Sequence, residues 1–402
     1  MTHPRRPARL LWLLRYPCVP PSNGGDAVYL RELITHVSGL ADTRLLSFSA
    51  EGLVPDPADK RWHIVPLAKT SKVLSVLSPL PNIAYRFRQE DYRREAIRMA
   101  REVDGIVVDN VGLFPLVAEL RAALGADCPP MVLINHNHEG SLRAEMAKAT
   151  PNPVMRAVLR LDGAKAARLE RTGNRTGDGY TAITTTDLDA FGSDAPGVPG
   201  LLLMPGYDGP VLEERVIDAS TPERLCILGA RSAYHKLLVL RQILDAVVES
   251  GLHRRMIVDV VGGDREGDPK YEGVNFLGYV DDLESYLRTV RLGLIPDDIG
   301  GGFKLRALTH IFQRVPMLAL SKAMRGMTLR DNVDFAAVED IPAMVAATEP
   351  LLRDTGRLDS LQREAFASCR DRFSWRSRAE DLLNFLGQLR AARAGGAARS
   401  AA

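Results

Sequence analysis

The sequence has few of the features that mark secreted, membrane-spanning or nucleic-acid-binding proteins. Its four cysteines lie far apart, with neither a CxxC pair nor a zinc-ligand spacing: Cys18, Cys128, Cys226 and Cys369. Reduced thiols in a cytoplasmic protein are therefore expected. No apolar run approaches the ~20 residues of a spanning helix, and the run at 10–14 ends at Arg15, too early for a signal peptide. A net charge of +2 also argues against a nucleic-acid partner.

What the sequence does have is an alternation of apolar strands and amphipathic helices. Strands are predicted at 9–14, 44–49, 62–67, 105–109, 131–135, 180–185 and 201–205. After the pair Gly24-Gly25, apolar residues recur with helical spacing at Leu30, Leu33, Ile34 and Val37. Such alternation predicts an α/β fold with a mainly parallel sheet that is covered on both faces.

The alternation breaks at 206–223, which is rich in Gly, Pro and charge and is typical of a domain linker. It then restarts with strands predicted at 225–230, 256–262, 274–280, 292–296 and 316–321. We therefore expect two Rossmann-like domains, 1–208 and 209–375, that face each other across a cleft. A C-terminal helix at 376–390 is expected to pack back on the first domain, and the low-complexity tail 391–402 to be disordered.

Three consecutive glycines, Gly300, Gly301 and Gly302, follow a predicted strand and open a helix. Glycine is costly to order, and cations such as Lys304 and Arg306 oppose the helix dipole at this end. An anion would explain both features, because exposed N–H groups and nearby cations bind phosphate. A flexible turn with two solvated basic residues explains the glycines equally well, and the spacing is not a Walker or dinucleotide fingerprint.

A second basic pair, Arg231 and Lys236, stands just beyond another predicted strand end. Because each phosphate needs its own charge partners, two cationic sites and a glycine loop suit a diphosphate. Taken alone, Lys236 would be an ordinary solvated lysine in the first turn of a helix.

The remaining polar clusters have simpler explanations. His136 and His138 are spaced as metal ligands can be, but no third ligand stands at a recognisable spacing, so a metal is not favoured. The pair Asp281-Asp282 is expected to cap the helix that starts at "LESYL". The Arg-rich segment 85–104 is typical of a solvated helix face, with an anionic acceptor or membrane lipid as the alternative.

Taken in order, several segments resemble the GT-B glycosyltransferases, and most closely their family 4. They are "PPSNGGDAVYLRELITHV", "NHNHEG", "MPGYD", "ILGARSAYHK", "VNFLGYVDDLESYLRTVRLGLIP", "GGGFKLRALTHIFQRVPMLAL" and "FSWRSRAEDLL". None is specific alone; their order and spacing carry the resemblance, which covers most of the chain.

The resemblance implies roles for the matching positions. Arg231 and Lys236 would neutralise the donor diphosphate, and His136 would lie beside the transferred sugar; these three are the expected catalytic residues. The remaining donor-binding positions are expected to be Gly24, Gly25, Gly278, Tyr279, Gly300, Gly301, Gly302, Lys304, Arg306 and Thr309. Neither a metal nor another cofactor is expected, since Arg, Lys and backbone dipoles carry the electrostatic work.

The chain departs from the family at one position. Where the family usually has a glutamate that holds the donor ribose, this chain has Thr309, whose hydroxyl binds more weakly than a carboxylate. The expected function is transfer of a sugar, with retention, from a nucleotide-sugar to a glycan, lipid-linked or small-molecule acceptor. The alternative is a catalytically weakened sugar-nucleotide binding or partner protein. A cytoplasmic location is expected, with peripheral contact at the inner face of the membrane as a further expectation.

Overall fold

The computed structural model describes residues 7–22, 24–229, 234–262, 270–297 and 303–400. The chain forms two compact units. Unit 1 comprises Met1–Met204 and Trp375–Ala402, and unit 2 comprises Pro205–Ser374. Strands and helices are numbered along the chain.

Unit 1 contains a seven-stranded, wholly parallel sheet. Its strands are β1 (Arg9–Leu14), β2 (Asp42–Phe48), β3 (Trp62–Val65), β4 (Gly105–Asp109), β5 (Met131–Ile134), β6 (Gly179–Ala182) and β7 (Gly200–Leu202). Its helices are α1 (Gly25–Ser38), α2 (Lys72–Leu77), α3 (Asn82–Tyr85), α4 (Glu90–Ala100), α5 (Pro115–Leu124), α6 (Glu139–Ala149), α7 (Pro153–Thr176), α8 (Thr185–Asp194) and α15 (Trp375–Ser400).

Strand β1 forms at the centre of this sheet because its sequence is apolar on both faces. Residues 10–14 are completely buried, as a parallel strand between two helical layers requires. The strand order is β3-β2-β1-β4-β5-β6-β7. In a doubly wound sheet of this kind the order reverses between β1 and β4, and ligands bind beyond the carboxyl ends of the strands at that point.

Unit 2 repeats the design with six parallel strands in the order β10-β9-β8-β11-β12-β13. They are β8 (Arg224–Leu228), β9 (Ile257–Val261), β10 (Asn275–Gly278), β11 (Leu292–Ile295), β12 (Met317–Leu320) and β13 (Ala336–Val338). Its helices are α9 (Tyr234–Glu249), α10 (Leu283–Arg288), α11 (Leu305–Phe312), α12 (Ser321–Met324), α13 (Ile341–Arg353) and α14 (Thr355–Cys369). Here the order reverses between β8 and β11.

The two parallel sheets confirm the α/β fold class predicted from the sequence. The predicted cap of α10 is confirmed as well, because Asp282 accepts a hydrogen bond of 2.9 Å from the N–H of Ser285. The Arg-rich helix α4 is a solvated face whose charges pair within the unit: Arg94 with Asp91, and Arg98 with Glu95 and Glu102.

Two features differ from the sequence-based expectations. Strand β13 was not predicted, since its three residues are too short to show a period. The part of the low-complexity tail that the structure describes, 391–400, belongs to α15, which continues to Ser400. Alanine and arginine are strong helix formers, and extending an existing helix needs no new nucleation. Within the described part of the chain, none of the helices combines the length and apolar character needed to cross a bilayer.

Candidate functional site

A polar cluster lies at the point of unit 1 where the strand order reverses. Asp109 is the last residue of β4, and His136 follows β5 by two residues. Nε2 of His136 lies 2.7 Å from Oδ1 of Asp109, and both side chains are buried. A carboxylate only accepts hydrogen bonds, so Nε2 carries the proton and donates it. His136 is thereby fixed in both tautomer and orientation.

Arg15 connects this pair to the start of α1. It follows β1 directly, and its Nε lies 3.4 Å from Oδ2 of Asp109. Its Nη2 donates a hydrogen bond of 2.9 Å to Asp26, in the first turn of α1. Gly24 and Gly25, both predicted to bind donor, are the N-cap and first residue of that helix. The predicted glycine pair therefore stands directly before Asp26, which Arg15 and Asp109 connect to His136 by hydrogen bonds.

Tyr29 packs against the imidazole of His136. Its ring meets the imidazole edge to face, with 5.4 Å between the ring centres. Its hydroxyl donates a 2.9 Å hydrogen bond to the carbonyl of Leu203, so the ring cannot swing away without losing that bond. The imidazole is thus held by a carboxylate at one nitrogen and by an aromatic ring at its side.

His138 belongs to a separate group of side chains. Its Nδ1 lies 2.7 Å from the hydroxyl of Ser141, and its Nε2 lies 3.5 Å from Asp194 and 3.7 Å from Glu170. Glu170 is completely buried, and this burial raises the pKa of its carboxyl from 4.5 to about 9. His136 and His138 therefore have different partners.

Unit 2 has its own small cavity at the matching position, where its strand order reverses. The described residues leave about 30 Å³ there, room for one or two water molecules. The cavity lies beyond the carboxyl ends of β8 and β11, and its polar lining comes from Lys236, Asp297 and Arg306. Lys236 reaches it from the first turns of α9, and Arg306 from the first turn of α11.

Arg306 has a carboxylate partner that the sequence did not assign to it. Its guanidinium pairs with Asp297, and the two side chains are 19% and 11% exposed. Burial lowers the pKa of Arg306 to about 10, so the side chain remains protonated at neutral pH. Gly229, with φ +141°, leaves room for it, since a Cβ there would lie 3.0 Å from its Nη1. Part of the positive charge predicted to face a phosphate is therefore compensated within the protein.

The other two predicted donor-binding residues of α11, Lys304 and Thr309, differ in burial. Lys304 is its N-cap and is buried, and Thr309 is partly buried in the middle of the helix. Next to it His310 is completely buried against Gly293 of β11, where a Cβ would come within 2.8 Å of the ring. Burial lowers the pKa of His310 to about 3, so this imidazole is neutral.

The predicted donor-binding positions Gly278 and Tyr279 lie on the same carboxyl edge of the unit 2 sheet. Gly278 ends β10 with φ 61°, a backbone conformation that favours glycine. Its carbonyl accepts a 2.8 Å hydrogen bond from the N–H of Gly262, which follows β9. Tyr279 comes next and is 71% exposed.

Four predicted residues lie outside the described part of the chain: Arg231, Gly300, Gly301 and Gly302. Their assignments stay predictions. Conversely, the sequence-based analysis missed Asp109, Arg15 and Asp26. The sequence did offer a signal for each of them. Arg15 directly follows one apolar strand, Asp109 ends another, and Asp26 stands beside the glycine pair.

Comparison with known proteins supports the fold and leaves the activity open. No protein-family model matches the chain, and no curated protein matches it. Solved structures with the same fold include the sucrose-phosphate synthase of Thermosynechococcus elongatus, at 15% identity and a TM-score of 0.67 over 96% of this chain and 100% of that one. Anabaena HepE in complex with UDP and glucose matches at 12% identity and 0.64, over 95% and 100% of the two chains.

A trehalose 6-phosphate synthase from Burkholderia multivorans matches at 14% identity, with a TM-score of 0.60 and 98% and 99% coverage. At such low identities the likeness concerns the fold alone. Together with the two doubly wound units, it confirms the predicted GT-B fold, the fold of a large class of glycosyltransferases.

Proposed function

We propose that the protein is a glycosyltransferase that moves a sugar from a nucleotide-sugar to an acceptor hydroxyl. The observation that carries the proposal is the meeting of Lys236 and Arg306 at the cavity where the strand order of unit 2 reverses. An open α/β sheet binds its ligand at this place, and two cations there suit the diphosphate of a sugar donor. UDP-sugars are the first donors to test, because HepE was solved with UDP and UDP-glucose.

In the proposed reaction, the bond between the anomeric carbon and the β-phosphate oxygen breaks while the acceptor oxygen bonds to that carbon. The acceptor proton ends on the departing nucleoside diphosphate. Lys236 and Arg306 stabilise the charge that develops on this leaving group, which removes the need for a metal. His136, held by Asp109, binds a hydroxyl of the reacting sugars. We further propose retention of the anomeric configuration, which NMR of the product settles directly.

The alternative is a protein that binds a nucleotide-sugar but transfers it poorly. Two observations favour it: Thr309 stands where a ribose-binding glutamate is usual, and Arg306 already pairs with Asp297. Both would weaken binding of the donor. The acceptor, whether a glycan, a lipid-linked sugar or a small molecule, is part of the proposal, as is a cytoplasmic location with peripheral membrane contact.

Isothermal titration of the whole protein with UDP, GDP, ADP and TDP tests the proposal. We expect one nucleoside diphosphate to bind clearly better than the others, and the matching nucleotide-sugar to be hydrolysed or transferred. Binding without turnover, across a panel of acceptors, would support the alternative. If none of the four binds, both are wrong.

A further inference from the structure

Helices α2 and α7 of unit 1 expose apolar side chains that the fold leaves uncovered. On α2, Leu77 is 79% exposed, and Leu74 and Val76 are also exposed. On α7, Val154 is 72% exposed, and Leu161 lies on the same face two turns later. Met155 is exposed beside Val154. These six residues form what we call the α2–α7 surface.

Hydrogen bonds join the two parts of this surface. Nζ of Lys165, on α7, donates a 2.6 Å bond to the carbonyl of Val76 on α2. The N–H of Asn82, at the start of α3, donates a 2.7 Å bond to Asp162 on α7. Leu161 lies one turn before Lys165 on the same face of α7, so this part of α7 lies beside the exposed residues of α2.

The position of α7 makes this surface protrude from the sheet. With 24 residues the helix is about 36 Å long, whereas β5 and β6, with four residues each, span about 13 Å. The N–H of Glu139, at the start of α6, bonds to Glu170 of α7 at 3.1 Å. The earlier part of α7 therefore extends, together with α6, beyond the carboxyl edge of the sheet.

The charges around the α2–α7 surface are almost all positive. The segment 60–89 contains no acidic residue, and 139–176 contains twice as many basic as acidic residues. Of the four acids there, Glu139 and Asp162 pair with Arg143, Glu170 is buried, and Glu145 is exposed.

Arg160 and Arg168 supply exposed positive charge on α7 itself. Within the described part of the chain, neither has a hydrogen-bond or ion-pair partner. They stand on either side of Lys165, the residue that joins α7 to α2. Free guanidinium groups thus border the apolar side chains.

We propose that the α2–α7 surface docks the protein on a membrane that contains anionic phospholipid. Exposed apolar side chains enter the boundary between headgroups and acyl chains, while Arg160 and Arg168 meet the phosphates. The surface is a projecting edge rather than a groove, so it fits a partner that can be penetrated better than a peptide, which needs a concave site. A symmetric dimer would place this positively charged surface against its own copy, and the repulsion of like charges disfavours a second copy as the occupant.

This inference extends the proposed function, because a membrane-bound transferase would take its acceptor from the lipid surface. It does not depend on that function, since membrane binding is measured without donor or acceptor. Failure of one proposal therefore leaves the other standing.

Co-sedimentation of the full-length protein with large unilamellar vesicles tests the docking. Vesicles of 70% phosphatidylcholine and 30% phosphatidylglycerol should bind the protein, and pure phosphatidylcholine should bind it much less. Leu77→Asp and Val154→Asp should each abolish most of the binding. Arg160→Glu and Arg168→Glu should each weaken partitioning at least fivefold, the equivalent of about 1 kcal/mol per basic residue, and raising the salt concentration should do the same.

Two matched controls separate this surface from general effects. Val216→Asp changes another exposed valine, in unit 2, and Arg94→Glu reverses a charge on the Arg-rich helix α4. Both should bind vesicles like the wild type, and melting curves should show that all six variants are folded. The inference is wrong if the wild type does not bind anionic vesicles, or if Leu77→Asp binds them as well as the wild type does. It is also wrong if sedimentation velocity shows a dimer that Leu77→Asp dissociates.

Discussion

Asp109 accepts a hydrogen bond from Nε2 of His136 over 2.7 Å, and its second carboxylate oxygen faces Arg15 at 3.4 Å. One buried carboxylate therefore positions a histidine and an arginine at the carboxyl edge of unit 1. Because Nε2 of the imidazole bonds to Asp109, Nδ1 is the nitrogen that a substrate hydroxyl would meet. If His136 contacts a reacting sugar, its effectiveness depends on Asp109, which itself need not touch the substrate.

The first prediction concerns this dependence. Asp109→Asn keeps the shape but not the charge, so His136 loses its fixed tautomer. Turnover should fall by about tenfold, the effect of losing roughly 1.4 kcal/mol from the hydrogen bond between His136 and the sugar, while the affinity for nucleoside diphosphate stays within about twofold. The double variant Asp109→Asn/His136→Ala should be no slower than His136→Ala alone, because the two act as a unit. Additive losses in steady-state kinetics would show that Asp109 acts independently of His136.

The second prediction concerns the cavity of unit 2. Lys236→Ala should weaken the binding of the preferred nucleoside diphosphate by roughly 1.5–3 kcal/mol, the usual loss when a charge-assisted contact is removed. The matched control is Lys322→Ala, an exposed lysine on α12 of the same unit. If calorimetry gives both variants the affinity of the wild type, Lys236 does not bind the diphosphate.

The third prediction concerns Arg306, whose ion pair with Asp297 stabilises the fold as well as placing a positive charge at the cavity. Arg306→Ala would leave the carboxylate of Asp297 largely buried without its partner, so the free energy of unfolding should fall by about 1–3 kcal/mol, the usual cost of an unsatisfied buried group. Arg306→Ala/Asp297→Asn should recover part of that loss, because the uncompensated charge is gone. Urea denaturation of both variants measures the difference. Equal stability of the single variant and the wild type would mean that the ion pair contributes nothing.

The fourth prediction is turnover without divalent metal. The cations placed at the cavity are organic, Lys236 and Arg306, and the sequence has no well-spaced Asp-x-Asp. Activity should survive dialysis against EDTA within about twofold. Activity that disappears in EDTA and returns with manganese or magnesium contradicts this prediction and points to a bound metal.

The sequence predicts the fold better than it predicts the site. In the described part of the chain, twelve of the thirteen strands follow from apolar runs, since a parallel strand buried on both faces is apolar throughout. The order of those strands, and so the place where it reverses, is a tertiary property that no local pattern encodes. For this reason the sequence identified His136 but not the Asp109 that holds it, on a strand separated from it by α5.

The same limit applies to charges. In the sequence Arg306 is a cation beside a glycine loop, and only the packing of α11 on β11 shows that Asp297 shares its charge. Likewise, the sequence predicted a solvated face for the arginines of α4 with an anionic partner as the alternative, and only the structure shows that Arg94 and Arg98 pair with neighbouring acids. Exposed apolar side chains on α2 and α7 gave no signal, because the same residues would also suit a buried helix face.

The last prediction concerns the buried carboxyl of Glu170. Its pKa is about 9 in the folded protein and 4.5 as the ordinary value, so the folded state holds a proton that the unfolded chain releases. Below pH 4.5 both states are protonated, and Glu170 imposes no penalty. Between pH 4.5 and 9 the free energy of unfolding therefore falls as the pH rises.

Glu170→Gln cannot ionise, and its amide oxygen can still accept the 3.1 Å hydrogen bond from the N–H of Glu139. Its stability relative to the wild type should therefore increase steadily from pH 5 to pH 9, to a gain on the order of a few kcal/mol. Urea denaturation at pH 5, 7 and 8.5 measures this difference. Glu145→Gln, an exposed glutamate on the adjacent helix α6, is the control and should show no such trend. A stability difference between Glu170→Gln and the wild type that stays constant with pH would mean that Glu170 is already ionised in the folded protein, with a partner for its charge.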